Sequence, residues 1–178
     1  MLRQALDALY RMAAALAALS LLGIFLVMMA QVILRGLAIQ FPGADDISAY
    51  LCVSTTFFAL AHTFRRGELI RVGLLLDRLS PPRRRVAEGV ALALAAAGCA
   101  YAFYWTLDDV LFSYEIEDLA QGALPVPLWI PKLAMPAGAA LLLVAVLDEL
   151  VTVLRGNTPA YVVAAMERAA RGDFSAEV

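Results

Sequence analysis

MAAALAALSLLGIFLVMMAQVIL, residues 12–34, decides the fold because no charged side chain interrupts it. A helix of roughly 20 residues crosses the hydrocarbon core of a bilayer, which is about 30 Å thick. Backbone groups in lipid must be hydrogen-bonded within their own segment, so a helix is the structure open to such a stretch. Residues 12–34 are therefore predicted to form the first membrane-spanning helix.

Composition extends this prediction to the rest of the chain. Its 178 residues are 62% hydrophobic and 17% charged, whereas soluble domains are roughly 45–50% apolar and about 25% charged. Three further uncharged blocks, with their flanking residues, predict spans at 45–66, 82–108 and 129–154. The predicted fold is an all-α membrane domain over 1–155 with four transmembrane helices. A cytoplasmic tail with a short helix is predicted over 156–178.

Charged residues are segregated between the loops that join these blocks. The loop between the second and third blocks is basic, and the loop between the third and fourth is acidic. Short loops rich in Arg or Lys stay in the cytoplasm, so both termini are predicted to lie inside. The bases are Arg65, Arg66, Arg71, Arg78, Arg83, Arg84 and Arg85, and the acids are Asp108, Asp109, Glu115, Glu117 and Asp118.

The basic loop also has a helical pattern of its own. Apolar residues recur at helical spacing over 67–80, while Arg71 and Arg78 lie seven residues apart on another face. The segment is too short and too charged to span a membrane. It is predicted to be a short amphipathic helix at the membrane surface, between helices 2 and 3.

Residues that carry chemistry are scarce. The chain has one histidine, His62, and contains neither a nucleotide-binding motif nor a metalloprotease or hydrolase motif. Its net charge is −2, and no basic patch interleaved with aromatics points to nucleic acid. We therefore predict no catalytic residue, no cofactor-binding residue and no metal ligand, and hence not an enzyme.

Two polar groups within the apolar blocks allow alternative interpretations. The hydroxyls of Ser54, Thr55 and Thr56 either bond back to their own helix or line a polar path. Asp148 and Glu149 are either an interfacial carboxylate pair near the inner surface or part of a proton or cation relay.

The ends of the predicted helices carry the candidate contact residues. Asp45, Asp46 and Tyr50 either cap helix 2 and join an aromatic belt, or contact another subunit or a soluble protein. Arginines of the basic loop are expected at the membrane surface. The candidate partner or membrane-interface residues are Asp45, Asp46, Tyr50, Arg65, Arg66, Arg71, Arg78, Arg83, Arg84, Arg85 and Trp129.

Local features at the outer end predict particular contacts. Arg35 is expected either to reach the lipid headgroups or to pair with Asp45 or Asp46. Helix 3 is expected to continue beyond the bilayer and to break at Gly122. Pro136 predicts a kink in helix 4 because proline removes a helical hydrogen bond.

Small residues and cysteines complete the expectations for helix packing. Ala91, Ala95 and Gly98 are predicted to pack against a neighbouring helix or subunit, since small residues permit close approach in lipid. Cys52 and Cys99 lie in apolar blocks and are expected to be buried, unpaired thiols.

The order of five segments resembles that of a known family. The segments are DDISAY at 45–50, FFALAH at 57–62, RRGELIRVGLLLDRL at 65–79, LPVPLWI at 124–130 and PAG at 136–138. Together they are similar to the small DctQ-like membrane subunit of tripartite ATP-independent periplasmic (TRAP) transporters, over about residues 8–155.

The resemblance implies a supporting role in transport. The large TRAP membrane subunit would carry the substrate and sodium ions, while this chain, without a cofactor of its own, would act as its scaffold in the bacterial inner membrane. A periplasmic substrate-binding protein would deliver the substrate, commonly an organic acid, and membrane lipids would surround the pair. The alternatives from the residues alone are a self-sufficient small four-helix transporter and a membrane redox protein.

Overall fold

The computed structural model describes residues 2–66, 81–156 and 162–163, and these are helical apart from the connecting loops. The described helices longer than two residues are α1 Leu2–Gly36, α2 Ala44–Arg66, α3 Pro81–Glu115, α4 Trp129–Lys132 and α5 Ala134–Leu154. No strand occurs in this part of the chain, although one isolated antiparallel bridge joins Leu119 to Pro127. The predicted surface helix, with Arg71 and Arg78, and nearly all of the predicted tail lie outside the described residues.

Four of the described segments are long and apolar enough to cross a membrane. They are Leu6–Gly36, Ala44–Arg66, Arg83–Glu115 and Trp129–Leu154. The predicted all-helical fold with four spans is therefore confirmed for the described part of the chain. The first and third helices are longer than predicted, because α1 begins at Leu2 and α3 continues to Glu115.

The end of α3 differs from the prediction of a break at Gly122. Glu117 adopts a left-handed conformation with φ 50°. The N–H of Glu117 donates to the carbonyl of Tyr114, and the N–H of Asp118 donates to the carbonyl of Ser113. This pair of bonds satisfies carbonyls at the helix end in the manner of a Schellman cap, so α3 ends at Glu115, seven residues before Gly122.

The fourth span is interrupted near its start. Leu133 separates α4 from α5, three residues before Pro136, where the sequence predicted a kink. Pro131 and Pro136 each remove one N–H from the helical ladder. The N–H of Leu133 still donates to the carbonyl of Trp129, and the N–H of Ala137 to that of Leu133, each at 3.2 Å, so the two helices continue as one span.

Across the bundle the helices pack in the order α1, α2, α5, α3. The face of α1 that is buried or half-buried has spacings that alternate between four and three residues, as in a left-handed coiled coil. That face consists of Leu6, Tyr10, Ala13, Ala17, Ser20, Ile24, Val27, Gln31 and Leu34.

The two central helices, α2 and α5, meet at a glycine. A Cβ atom at Gly138 would lie 2.5 Å from the carbonyl oxygen of Phe57 and 2.6 Å from the carbonyl carbon and Cβ of the same residue. No side chain fits at that distance. Gly138 therefore marks a point where the backbones of α2 and α5 approach closely enough to require glycine.

The main hydrophobic cluster lies at one end of the bundle. It joins all four spans where α1 and α3 begin and where α2 and α5 end. We call this the basic end, because it carries Arg65 and Arg66 and the arginines of α3; the opposite end is the acidic end. The buried cluster comprises Tyr10, Ala61, Phe64, Leu92, Ala96, Ala145, Val146 and Val153.

The outer helices expose most of their apolar surface. Only 11% of the most apolar window of the first span and of the third span is buried inside the protein, against 33% for the fourth. Side chains such as Leu22, Phe25, Leu94 and Tyr101 are more than half exposed. These outer faces of α1 and α3 are therefore left for lipid or for another protein.

Candidate functional site

At the acidic end, the loop after α3 folds back over the start of α2. The N–H of Ala120 donates to the carbonyl of Val126, and the N–H of Leu128 donates to that of Asp118, each at 2.9 Å. These bonds flank the isolated bridge and make a narrow, hairpin-like loop over residues 118–128. Its own backbone bonds therefore define the loop's shape, although no strand forms there.

Asp46 fastens this loop to α2. Its carboxylate Oδ2 accepts a hydrogen bond from the N–H of Ala123 at 3.1 Å. A Cβ at Gly122 would lie 2.1 Å from the same oxygen, so the glycine allows the loop backbone to reach the carboxylate. Gly43, at φ +82° and directly before α2, lies against the side chain of Leu124 and so makes a second contact with the loop. Asp46 is thus a structural tie between α2 and the loop.

Asp45 is bound by a different residue of α1 than predicted. Gln31 Nε2 donates to Asp45 Oδ1 at 3.3 Å, linking α1 to the first turn of α2. The expected ion pair from Arg35 to Asp45 or Asp46 is not among the contacts of the described residues, and Arg35 is exposed. Gln31 lies on the packed face of α1 and Arg35 does not, which explains the difference.

Trp129 lies where the loop enters α4. Its ring packs edge-on against Tyr114 near the end of α3, with 5.6 Å between the ring centroids. One turn further, Lys132 Nζ lies 3.0 Å from Asp109 Oδ2. Both contacts join the third span to the fourth at the acidic end, while Tyr50 is half-buried in α2.

At the basic end, Arg65 binds to the start of α1. Its guanidinium forms an ion pair with Asp7 and lies 4.9 Å above the centre of the Tyr10 ring. Tyr10 is 3% exposed, and its hydroxyl has no hydrogen-bond partner among the described residues. Arg65 thereby closes α1 against α2, a role that the sequence pattern did not predict because Asp7 and Arg65 are 58 residues apart.

The remaining arginines of the basic end have different surroundings. Arg66 and Arg83 are exposed, and their predicted place at the membrane surface stays a prediction. Arg84 pairs with Glu88 on its own helix, at 3.1 Å. Arg85 lies near the end of α5, and its Nη1 atom would be 3.9 Å from a Cβ at Gly156.

Asp148 and Glu149, near the end of α5, are unequally exposed. Asp148 is half-buried, whereas Glu149 is 1% exposed and is among the largest fully buried side chains. Both carboxylates lie within electrostatic range of Tyr10. The pair is therefore part of the packed basic end. Of the two, only Asp148 has the partial exposure that an interfacial carboxylate requires.

The hydroxyls in the middle of α2 bond to their own helix. Ser54, Thr55 and Thr56 each donate to the carbonyl four residues earlier, at 2.9–3.0 Å. The first of the two interpretations of these residues is confirmed. Such bonds leave each hydroxyl occupied locally and supply no continuous polar path.

The thiols and the small residues of α3 are more exposed than predicted. Cys52 is exposed and Cys99 is half-buried, and both are free. Ala91 and Ala95 are exposed, and no atom lies within 4 Å of a Cβ at Gly98. In lipid, an apolar residue gains little from burial in protein. The apolar character of these residues therefore did not predict whether they face the other helices or the outside of the bundle. These small residues are therefore not buried against another described helix.

The described residues hold no group of three or more His, Cys, Asp or Glu side chains placed to bind a metal ion. A family model described as "Tripartite ATP-independent periplasmic transporters, DctQ component" matches residues 24–156. The chain belongs to the DctQ family. It is a small permease component of a TRAP transporter, a system that in general joins such a component with a large membrane subunit and a substrate-binding protein. No curated protein matched the chain.

Residues of the segments that resemble the family make contacts between the helices and the loop. Gly138 of the PAG segment is the α2–α5 contact, and Asp46 of the DDISAY segment is the tie to the loop. Trp129 of the LPVPLWI segment joins the third and fourth spans. The three contacts join the second, third and fourth spans and the loop, and the DctQ component is a multi-pass membrane protein.

Proposed function

We propose that this DctQ component is a non-catalytic scaffold for the large, sodium-coupled TRAP subunit. The observation that carries the proposal is the exposure of α1 and α3 on either side of a packed α2–α5 centre. A protein with its own transport path would be expected to place ionisable residues at mid-depth. In the described spans, the ionisable side chains with ion pairs lie near the helix ends instead.

The small-residue face of α3 supports a partner contact. Ala91, Ala95 and Gly98 are open, and residues of this size let a second helix approach closely. In the proposed arrangement, this face packs against the large subunit and α1 remains available to lipid. The bundle enlarges the fixed part of the transporter against which the large subunit moves.

The proposed orientation puts the basic end in the cytoplasm of a bacterium and the acidic end in the periplasm. The segment of α3 between Arg85 and Asp108 is about 34 Å long, close to the hydrocarbon thickness. Residues 109–115 then extend the helix about 10 Å beyond the bilayer. This extension and the loop at 118–128 offer a surface for a periplasmic substrate-binding protein that delivers an organic acid.

A tagged chain purified gently from native membranes tests the proposal. We expect a stable complex with a much larger membrane protein, and no ion-coupled uptake by liposomes that contain this chain alone. Uptake by the chain alone would establish the self-sufficient transporter instead, and a bound flavin, haem or quinone would favour the redox protein. A lone 19.1 kDa species would contradict the scaffold role.

The orientation is tested separately with reporter fusions. Arg83, Arg84 and Arg85 all lie in the first turns of α3, and replacing all three with Glu removes the positive signal of the loop. We expect poorer insertion or inversion of part of the population. Unchanged fusion topology would contradict the role of these arginines in orientation.

A further inference from the structure

The arginines that open α3 differ in how their charge is neutralised. Glu88 pairs with Arg84 on the same helix. Arg85 instead reaches across to α5, where its Nη1 atom lies close to Gly156. Carbonyl groups at a helix C-terminus carry partial negative charge, which favours a guanidinium near the end of α5.

A second arginine stands at the same helix end. Arg155 directly precedes Gly156 and is exposed. Among the described residues, neither Arg85 nor Arg155 has an ion pair with a carboxylate. Two cations at the joint ends of two packed helices attract an anion, and the guanidinium fork is suited to phosphate oxygens.

Apolar surface continues from these two cations along both helices. Val86 and Val90 of α3 are 67% and 56% exposed, and Leu154 of α5 is 74% exposed. The third candidate span begins at Arg83 and the fourth ends at Leu154, so the cations lie at the level of a membrane surface. A ligand that suits both the two cations and the apolar surface beside them has a phosphate group and hydrocarbon chains.

We propose that Arg85 and Arg155 form a binding site for the headgroup of an anionic phospholipid, whose acyl chains lie on the exposed apolar residues of α3 and α5. Basic pockets between transmembrane helices at the membrane surface recognise such headgroups. The proposal goes beyond the scaffold function and does not rest on it, because the isolated chain contains both guanidiniums.

Native mass spectrometry of the full chain in detergent tests the site. The lipid-free protein is titrated with phosphatidylglycerol or cardiolipin, and with phosphatidylcholine as the zwitterionic reference. We expect selective binding of the anionic lipids. Each guanidinium contributes about fivefold in affinity, so the double variant R85Q/R155Q binds about 25-fold more weakly.

Arg11→Gln is the matched control, because it removes one exposed arginine at the same end of the bundle but on α1. We expect it to leave the affinity unchanged, and R85Q and R155Q singly to lower it about fivefold each. The single variants serve if the double variant does not fold, as judged by helical circular dichroism. Equal loss in Arg11→Gln and in the Arg85 and Arg155 variants would overturn the site.

Soluble glycerol 3-phosphate distinguishes a lipid site from a phosphate site. It has the anionic group without acyl chains, so we expect it not to displace the bound lipid at equal concentration. Displacement by glycerol 3-phosphate, or equal affinity for phosphatidylcholine, would overturn the assignment to an anionic phospholipid.

Discussion

The central pair of helices and the outer pair differ more in burial than in apolar character. The first span is the most apolar of the four, yet it is buried no more than the third and far less than the fourth. In water, apolar surface drives burial, whereas lipid tails are as apolar as leucine. The centre is therefore defined by close backbone approach at Gly138, and the outer helices α1 and α3 remain open to lipid or a partner.

The largest effect is expected from Gly138→Leu. The new side chain would have to occupy the space of the Phe57 backbone, which cannot move as a flexible side chain does. Overpacking of this kind costs at least about 3 kcal/mol, and we expect loss of the folded bundle. Thermal unfolding in detergent, followed by helical circular dichroism or by tag accessibility, measures it.

Gly98→Leu provides the control for that substitution. Glycine is replaced by the same residue in the middle of a span, but no atom lies within 4 Å of the new Cβ. We expect the isolated chain to unfold at the temperature of the unaltered protein or higher, because leucine is the better helix former by under about 1 kcal/mol. Equal destabilisation by both substitutions would show that the centre and the outer helices do not differ in packing.

The second prediction concerns assembly rather than folding. If the small-residue face of α3 meets the large subunit, Ala95→Leu should leave the isolated chain intact and weaken the complex by about 1–3 kcal/mol. The yield of large subunit recovered with a tagged chain measures this. Leu19→Ala, on the exposed face of α1, is the control, and it is expected to leave the yield unchanged.

Two results would argue against that prediction. Wild-type recovery of the complex with Ala95→Leu would remove α3 as the contact face. Loss of the complex with Leu19→Ala alone would move the contact to α1. Either outcome keeps the packed centre and changes only the assignment of the outer helices.

The four spans were predictable because bilayer thickness fixes the length of a charge-free block. The helix ends were harder to predict, because the turn after α3 depends on a left-handed Glu117 and not on the usual glycine. The contact of Gly138 with Phe57 depends on where two helices cross, and the sequence gives only the glycine. The pair between Asp7 and Arg65 and the tie from Asp46 to Ala123 likewise join residues far apart in the chain.

A smaller effect is expected at the acidic end, where a tie joins the centre to the loop. Asp46→Ala removes the acceptor for the Ala123 N–H and a carboxylate in the first turn of α2. The loss should be about 1 kcal/mol, since the hydrogen bond is exposed to solvent. Hydrogen exchange of the loop amides is the measurement, with Asp108→Ala as a control that removes an exposed carboxylate from α3.

We expect faster exchange at 119–127 in Asp46→Ala and no change in Asp108→Ala. The helical amides of α2 beyond its first turn should be protected as before. Identical exchange in the two variants would mean that the loop's own backbone bonds suffice to hold it, and that Asp46 contributes only to the helix end.

The smallest effect concerns the hydroxyls in the middle of the central helix α2. Because Ser54, Thr55 and Thr56 each bond to their own backbone, S54A, T55V and T56V together should change stability by under about 1 kcal/mol. Uptake by the complete transporter should also be unchanged, because these groups line no path. Thermal unfolding and substrate uptake in reconstituted vesicles measure the two effects separately. Loss of uptake with unaltered folding and unaltered recovery of the large subunit would make the centre a route for polar solutes, and this chain more than a scaffold.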